Sequence, residues 1–339
     1  MSNSRKNTDP VAYQQHFFSL ITNLLGNKNI IPALCEVLHL NKSAIYKRIN
    51  GEKLLTLDEF LLLSDTFNIS HQLLSFSSED QSVFQFDQLS QKVKSCREYL
   101  ELIVSNFSEF GRFSDLKIWF ATTDLPLFYI SLFKELALFK MFTFARVNWE
   151  LPYTLNLDFN PDSFPEKEIY YELLYPIGQL YASIPSIEIW TDELYTNTAK
   201  QIRHFAQNGQ ISNPQVVSIL FEQLEALADL HKEMATTGTK FLSPKSKQPA
   251  ANLDLYYNQI SASNMVIILG ESQFFQGTYM VFDDPNYLFI SDEKFYKYAS
   301  EWLKAQRQKS IRISQEGAFI RNNYFRLLCK RIEQEKALL

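Results

Sequence analysis

The stretch from residue 30 to residue 51, IIPALCEVLHLNKSAIYKRING, constrains the fold most, because its pattern predicts two short helices joined by a tight turn. In the first helix, Leu34, Cys35 and Leu38 recur at helical spacing and form one apolar face. Leu40 then closes the turn as an apolar plug. Together with the apolar helical patterns on either side, the stretch predicts a small helical domain at the N-terminal end of the chain.

The second helix of the stretch is predicted over residues 42–50. Asn41 precedes it as an N-cap, because its side-chain oxygen can accept a hydrogen bond from the free amides of the first turn. The helix buries Ala44, Ile45 and Ile49, and Gly51 stands where a left-handed residue can end a helix. Its outer face carries Lys42, Ser43, Tyr46, Lys47 and Asn50. A short helix with such an outer face suits the major groove of DNA.

The segment CEVLHLNKSAIYKRINGEKLLTLDEF resembles the helix-turn-helix of lambda repressor/Cro-type (XRE-like) transcriptional regulators, and the resemblance covers roughly residues 17–70. It implies that the second helix is the recognition helix and that the protein binds double-stranded DNA. Two positions depart from the family pattern: His39 replaces the usual turn glycine, and Ile49 occupies a position that often holds glutamate. The residue before the plug can need a positive φ, which histidine tolerates less readily than glycine. The predicted DNA-binding residues are Asn41, Lys42, Ser43, Tyr46, Lys47, Asn50 and Lys53.

The charge distribution of the chain is compatible with DNA binding. The whole chain has a formal net charge of −5, which argues against nonspecific coating of nucleic acid. Residues 26–53 instead hold five basic and two acidic side chains, a local charge of +3. Phosphate contacts need a local basic patch and not a basic protein. A helical bundle that only looks like the motif remains the alternative.

Three domains are predicted: a helix-turn-helix domain over 10–75, a polar linker with a long heptad-patterned helix over 76–112, and a sensing or dimerisation domain over 113–339. Within the first, Thr56 and Glu59 form a capping box. The helix that this box opens is expected to close the small core with Leu57, Phe60, Leu61 and Leu63.

The heptad pattern suggests a homodimer. Its apolar residues alternate spacings of three and four, as a coiled-coil seam requires. An amphipathic helix packed on its own domain explains the pattern equally well. The predicted dimerisation residues are Phe86, Leu89, Val93, Cys96, Leu100, Ile103 and Phe107.

The predicted fold class is an all-α N-terminal helix-turn-helix domain followed by a larger, mainly helical α+β domain with a small antiparallel sheet. Strands are expected over 116–122, 253–260, 265–269, 277–282, 287–290 and 310–314, and a mobile basic loop over 236–251. Residues 125–144 are very apolar but contain three charged side chains, so they predict a buried helix and not a membrane span.

Motifs for catalysis are missing from the sequence. It contains no GxGxxG, P-loop, HExxH or GxSxG pattern, and its five histidines lack metal-ligand spacing. No cofactor, metal or enzymatic activity is therefore predicted. The three cysteines lie far apart and no apolar leader is seen, which favours the cytoplasm.

Three functions remain open: a DNA-binding regulator with a small-molecule or protein effector, a protein-interaction module without DNA binding, and an enzyme that uses the C-terminal domain. The aromatic residues of the C-terminal domain form either a core or an apolar effector pocket. They are Phe128, Tyr129, Phe133, Phe139, Phe142, Phe144, Tyr170, Tyr171, Tyr175 and Tyr181.

Overall fold

A computed structural model describes residues 9–25, 30–67, 69, 84, 93–110, 115–258, 266–272, 276–283, 285–290 and 292–339. The chain forms two compact units, residues 1–83 and residues 84–339. Residues 76–83 of the predicted polar linker and the predicted dimerisation residues Phe86 and Leu89 lie outside the described residues.

The described part of unit 1 is helical. Its helices are α1 (Pro10–Leu25), α2 (Ile30–Leu38), α3 (Lys42–Ile49) and α4 (Leu57–Thr66). Apolar side chains that recur at helical spacing turn inward from each helix and share one core. The buried members are Phe17, Phe18, Ile21, Ile30, Leu34, Ile45, Leu63 and Ile69.

Unit 2 is built on an eight-stranded mixed sheet. Its strands are β1 (Lys117–Thr122), β2 (Ser186–Trp190), β3 (Thr239–Phe241), β4 (Pro249–Tyr257), β5 (Val266–Glu271), β6 (Gln276–Asp283), β7 (Asn286–Ile290) and β8 (Ile311–Arg312). The order is β3-β4-β2-β1-β5-β6-β7, and β8 pairs with β4. The β1–β2 and β2–β4 pairs are parallel, whereas the other pairs are antiparallel.

Helices cover both faces of this sheet. They are α5 (Cys96–Phe110), α6 (Leu127–Ile130), α7 (Lys134–Thr143), α8 (Tyr175–Ala182), α9 (Thr196–Gln207), α10 (Pro214–Thr237), α11 (Glu293–Gln308) and α12 (Ala318–Lys336). Alternate residues of β1 point to opposite faces. Ile118 and Phe120 enter the larger core, and Trp119 and Ala121 enter a smaller core beneath α11. The central strand is therefore apolar on both sides, as in other covered sheets.

The predicted fold class is wrong. Unit 2 does not carry a small antiparallel sheet, because its central strands β1, β2 and β4 run parallel within a larger mixed sheet. Strand β2 is missing from the sequence prediction. Its sequence, SIEIW, alternates polar and apolar residues over only five positions, and all five are buried, including the polar Ser186 and Glu188.

The predicted basic loop over 236–251 is also wrong, because β3 and the first residues of β4 lie within it. Lys240, which looks like a loop lysine, is fully buried in β3. By contrast, β5, β6 and β7 lie within a few residues of their predicted positions.

Candidate nucleic-acid interface and a cavity in unit 2

The turn between α2 and α3 has the geometry that its sequence pattern requires. His39 adopts a φ of 52°, so histidine takes the left-handed conformation that the turn needs. The amide of Leu40 donates to the carbonyl of Cys35 at 3.2 Å. Asn41 caps α3, since its Oδ1 accepts from the amide of Ala44 at 2.9 Å. The predicted cap is thus confirmed, and α3 starts at a defined residue.

All seven predicted DNA-binding residues are exposed, whereas Ile45 beneath them is fully buried. Along α3, the positions of Lys42 and Tyr46, and those of Ser43 and Lys47, are separated by one helical turn, so the four share one outer surface. Tyr46 has 52% of its surface exposed. Asn41 precedes this surface, and Asn50 and Lys53 follow it.

A buried ion pair that sequence reasoning missed fixes the end of α3. Arg48 is buried, and its Nε and Nη2 donate to the two carboxylate oxygens of Glu59 at 3.0 and 2.6 Å. Glu59 also closes the predicted capping box of α4, because its Oε2 accepts from the amide of Thr56 at 3.0 Å. One carboxylate therefore ties the last turn of α3 to the first turn of α4.

This ion pair changes the charge of the interface. Arg48 contributes to the local +3 counted from the sequence, yet its guanidinium is engaged inside unit 1. The exposed cations of the described interface are Lys42, Lys47 and Lys53. Burial opposes ionisation of Glu59, but hydrogen bonds from Arg48 and the Thr56 backbone outweigh it and lower the pKa of its carboxyl group.

Gln14 of α1 completes the support of α3. Its Nε2 donates to the carbonyls of Arg48 at 2.6 Å and Lys53 at 2.9 Å, and its Oε1 accepts from the amide of Leu55 at 2.6 Å. The side chain is buried. It adds three hydrogen bonds to backbone groups where α3 ends and the chain turns toward α4.

The predicted inner face of α4 is partly wrong. Leu63 is buried and Phe60 packs against the core, but 71% of Leu57 and 39% of Leu61 are exposed. Helix α4 turns Phe60 and Leu63 toward the core and leaves Leu57 and Leu61 outside. With Leu54 and Leu62 they give unit 1 an exposed apolar surface.

The predicted dimerisation seam packs inward where the structure describes it. Helix α5 begins at Cys96, and Val93, Cys96, Leu100 and Ile103 all lie buried in the core of unit 2. Phe107 lies in α5, with its side chain outside the described set. Burial raises the pKa of the Cys96 thiol to about 12. These four side chains are occupied within their own unit, so we assign them to intramolecular packing and not to contact with a second copy.

Unit 2 contains a cavity of about 620 Å³. Its apolar wall comes from β1, β5, β6 and β7, with α5 opposite. The side chains of this wall include Tyr99, Ile103, Ile118, Phe120, Val266, Ile268, Tyr279, Val281 and Tyr287. The volume lies within the range of pockets that bury small molecules.

The polar wall of the cavity follows the carboxyl ends of the parallel strands β1 and β2. It consists of Thr122, Thr123, Asp124, Thr191, Asp192, Glu193, Thr196, Asn197 and Lys200. Open α/β sheets bind ligands outside the carboxyl ends of their strands. The Nδ2 of Asn197 donates to Asp124 at 2.7 Å, and Arg331 pairs with both Asp192 and Glu193.

A buried polar network lies beside the cavity. Glu188 of β2 is fully buried and accepts hydrogen bonds from Tyr129, Tyr181, Ser186 and Trp190 at 2.6–2.9 Å. The Nζ of Lys240 lies 3.9 Å from Glu188 and donates to two backbone carbonyls. Burial lowers the pKa of Lys240 to about 7, with the charge of Glu188 opposing the shift.

The predicted aromatic cluster divides between the two open interpretations. Phe128 and Phe144 line the cavity, whereas Tyr129, Phe139, Phe142, Tyr170 and Tyr181 are core residues of unit 2. Phe128 belongs to both environments, because its ring stacks on Tyr181 at a centroid distance of 4.7 Å.

Within the described residues, no group of three or more histidine, cysteine or acidic side chains could hold a metal ion. No helix among these residues is long and apolar enough to cross a membrane. Comparisons with models of known families, with characterised proteins and with solved structures found no match.

Proposed function

We propose that the protein is a sequence-specific DNA-binding transcriptional regulator whose second unit binds an effector. The observation that carries the proposal is the α2–turn–α3 geometry: a capped helix with a buried inner face presents Lys42, Ser43, Tyr46 and Lys47 on one exposed surface. Such a helix fits the major groove, and exposed lysines beside it favour phosphate contacts.

The test is binding of the full chain to DNA sites selected from a random pool, measured by fluorescence anisotropy at several salt concentrations. Lys47→Ala should weaken specific binding by about 1–3 kcal/mol if Lys47 reads a base. If Lys47 contacts only phosphate, the loss should be similar on all sequences, with the salt slope reduced by about 1.

Lys304→Ala is the matched control, because Lys304 is an exposed lysine on α11 of unit 2 and its loss removes the same charge. It should leave specific binding unchanged. Undiminished binding after both Lys42 and Lys47 are replaced by alanine would contradict the DNA-binding assignment.

The same proposal includes two copies of the chain on DNA, because one recognition helix covers only a few base pairs. The exposed leucines of unit 1 are a better candidate contact for a second copy than the buried face of α5. We also place the protein in the cytoplasm, since Cys35, Cys96 and Cys329 are all free thiols. Sedimentation with a DNA site tests the stoichiometry.

The exposed apolar surface of Leu54, Leu57, Leu61 and Leu62 favours a second candidate function, binding of a partner protein without DNA. Leu57→Glu should then abolish retention of that partner from nuclease-treated extract. If Leu57→Glu changes neither DNA binding nor the association with any protein, only the first function is supported.

A further inference from the structure

Helix α4 has two faces of different character. Phe60 and Leu63 turn toward the core of unit 1. The opposite face is exposed along its whole length, and we call it the outer strip of α4. It consists of Leu57, Asp58, Leu61, Leu62 and Asp65. Neighbouring positions of the strip are one, three or four residues apart, so their side chains form one continuous surface.

The fold of unit 1 does not require leucine on this strip. Leu57 has 71% of its surface exposed and Leu62 has 47%, so neither fills the core. Lysine, glutamate and glutamine support an exposed helix position about as well as leucine does. Adjacent exposed leucines on one surface instead mark a site where another molecule binds.

The two aspartates of the outer strip differ from Glu59, the other acid of α4, whose carboxylate is bound by Arg48. In the part of unit 1 that the structure describes, neither Asp58 nor Asp65 forms an ion pair or a side-chain hydrogen bond. Helix α4 itself contains no lysine or arginine. Asp65 lies in its last turn, where the helix dipole makes a negative charge unfavourable. Asp65 therefore does not stabilise its own helix.

A molecule that covers the outer strip must bring apolar groups to the leucines and positive charge to the aspartates. Asp58 and Asp65 are two helical turns apart, which is roughly 10 Å along the axis of α4. Basic side chains two turns apart on a second helix have the same spacing. A second copy of the strip would bring two further aspartates to it, and like charges oppose contact.

We propose that the outer strip of α4 binds an amphipathic helix of a partner protein, whose apolar stripe is flanked by lysine or arginine. The apolar stripe packs on Leu57, Leu61 and Leu62, as in other complexes in which a helix is recognised by its apolar face. The basic side chains lie beside Asp58 and Asp65. The inference names the partner class for the second candidate function and rests on that function.

The test uses the full chain and two fluorescein-labelled synthetic peptides of about 20 residues, long enough to form a helix. One peptide carries a leucine stripe flanked by lysines, and the other carries the same stripe with each lysine replaced by glutamate. Fluorescence anisotropy should show saturable binding of the lysine peptide and at least about tenfold weaker binding of the glutamate peptide. Equal binding of the two would overturn the charge assigned to the partner. Absence of binding by the lysine peptide would overturn the docking surface.

The double variant Leu57→Ala/Leu62→Ala removes apolar surface from the strip and keeps good helix formers in α4. It should bind the lysine peptide at least about tenfold more weakly than the unchanged chain. Leu155→Ala/Leu338→Ala is the matched control, because both residues are exposed leucines of unit 2. Far-UV circular dichroism checks the fold of each variant. Undiminished binding to folded Leu57→Ala/Leu62→Ala would place the peptide elsewhere and refute the proposal.

Asp65→Asn tests the charge by itself. It should weaken binding of the lysine peptide by about two- to fivefold at low salt. It should not lower the urea midpoint of unit 1, because it removes a negative charge from the C-terminal end of α4. Asp229→Asn is the matched control, because Asp229 is an exposed aspartate on α10 of unit 2, and it should leave peptide binding unchanged. Equal peptide affinities of the two variants would refute the contact between Asp65 and a basic side chain.

The competing outcomes have separate measurements. Self-association of the free chain that Leu57→Ala/Leu62→Ala removes, seen by sedimentation, would assign the strip to a second copy and overturn the proposal. If the lysine peptide does not bind but Leu57→Glu still abolishes retention of a protein from extract, only the partner class is refuted. Peptide binding by a chain that binds no DNA would support the docking surface and refute the regulator.

Discussion

Replacing Ile45 tests whether α3 rests on the core as described. Ile45 is fully buried and belongs to the core that α1, α2 and α4 share. Ile45→Ala removes buried methylene and methyl groups and leaves a cavity, which costs about 2–5 kcal/mol in well-packed cores. The small core of unit 1 gives it little stability to lose. With an m-value of about 1 kcal/mol per molar urea, the unfolding midpoint of unit 1 should fall by about 2–5 M.

Tryptophan placement lets one experiment separate the two units. The four tryptophans, Trp119, Trp149, Trp190 and Trp302, all lie in unit 2. Tryptophan fluorescence therefore follows unit 2, whereas far-UV circular dichroism follows the helices of both units. In Ile45→Ala, the helical transition of unit 1 should move to lower urea while the fluorescence transition stays in place.

Tyr46→Ala is the matched control for this experiment. Tyr46 is the next residue of α3 and has 52% of its surface exposed, so its loss should change stability by no more than about 0.5 kcal/mol. Equal shifts for Ile45→Ala and Tyr46→Ala would mean that α3 is rotated from the orientation described. The proposed DNA-binding surface would then have to be reassigned.

Three further predictions concern polar groups. Gln14→Leu removes three hydrogen bonds to the backbone at the end of α3 and should destabilise unit 1 by about 1–3 kcal/mol, measured by urea and circular dichroism. Because the folded state lowers the pKa of Glu59, its contribution is present above the ordinary value of 4.5 and is lost as the pH falls below it. The urea midpoint of unit 1 should therefore drop in acid, and this component should vanish in Glu59→Gln. Glu188→Gln leaves Lys240 buried without its counter-charge and should cost unit 2 about 3–5 kcal/mol, read by tryptophan fluorescence, with Glu188→Gln/Lys240→Met less affected.

Local sequence determines the features of unit 1 that could be predicted. Asn41 caps α3 through an amide three residues away, and Thr56 and Glu59 cap α4 over the same separation. The burial of Ile45 follows from helical period alone. Each feature depends on neighbouring residues, so no knowledge of the tertiary structure was needed.

Distant residues determine the features that could not be predicted. Arg48 counts toward the local charge of +3 until Glu59 is placed beside it. Gln14 shows no pattern that ties it to a carbonyl of another helix. The parallel pairing of β1 and β2 joins segments separated by three helices and several turns, and no local pattern encodes it. The lining of the cavity combines residues of β1, β5, β6 and β7, which only the strand order and register bring together.

The buried charge network supports one residue of the cavity lining in unit 2, Phe128. Apolar side chains around an unfilled volume gain contacts by relaxing into it. Phe128 borders the cavity, yet its ring stacks on Tyr181, and the Tyr181 hydroxyl donates to Glu188 at 2.7 Å. The Lys240 ammonium lies 3.7 Å from the centre of the same Tyr181 ring. A shift of Phe128 into the cavity would break its stack with the Tyr181 ring. Tyr181 would stay in place, because its hydroxyl is bound to Glu188. The hydrogen bonds to Glu188 thus fix Tyr181, and stacking on Tyr181 favours the observed position of Phe128 at the edge of the cavity.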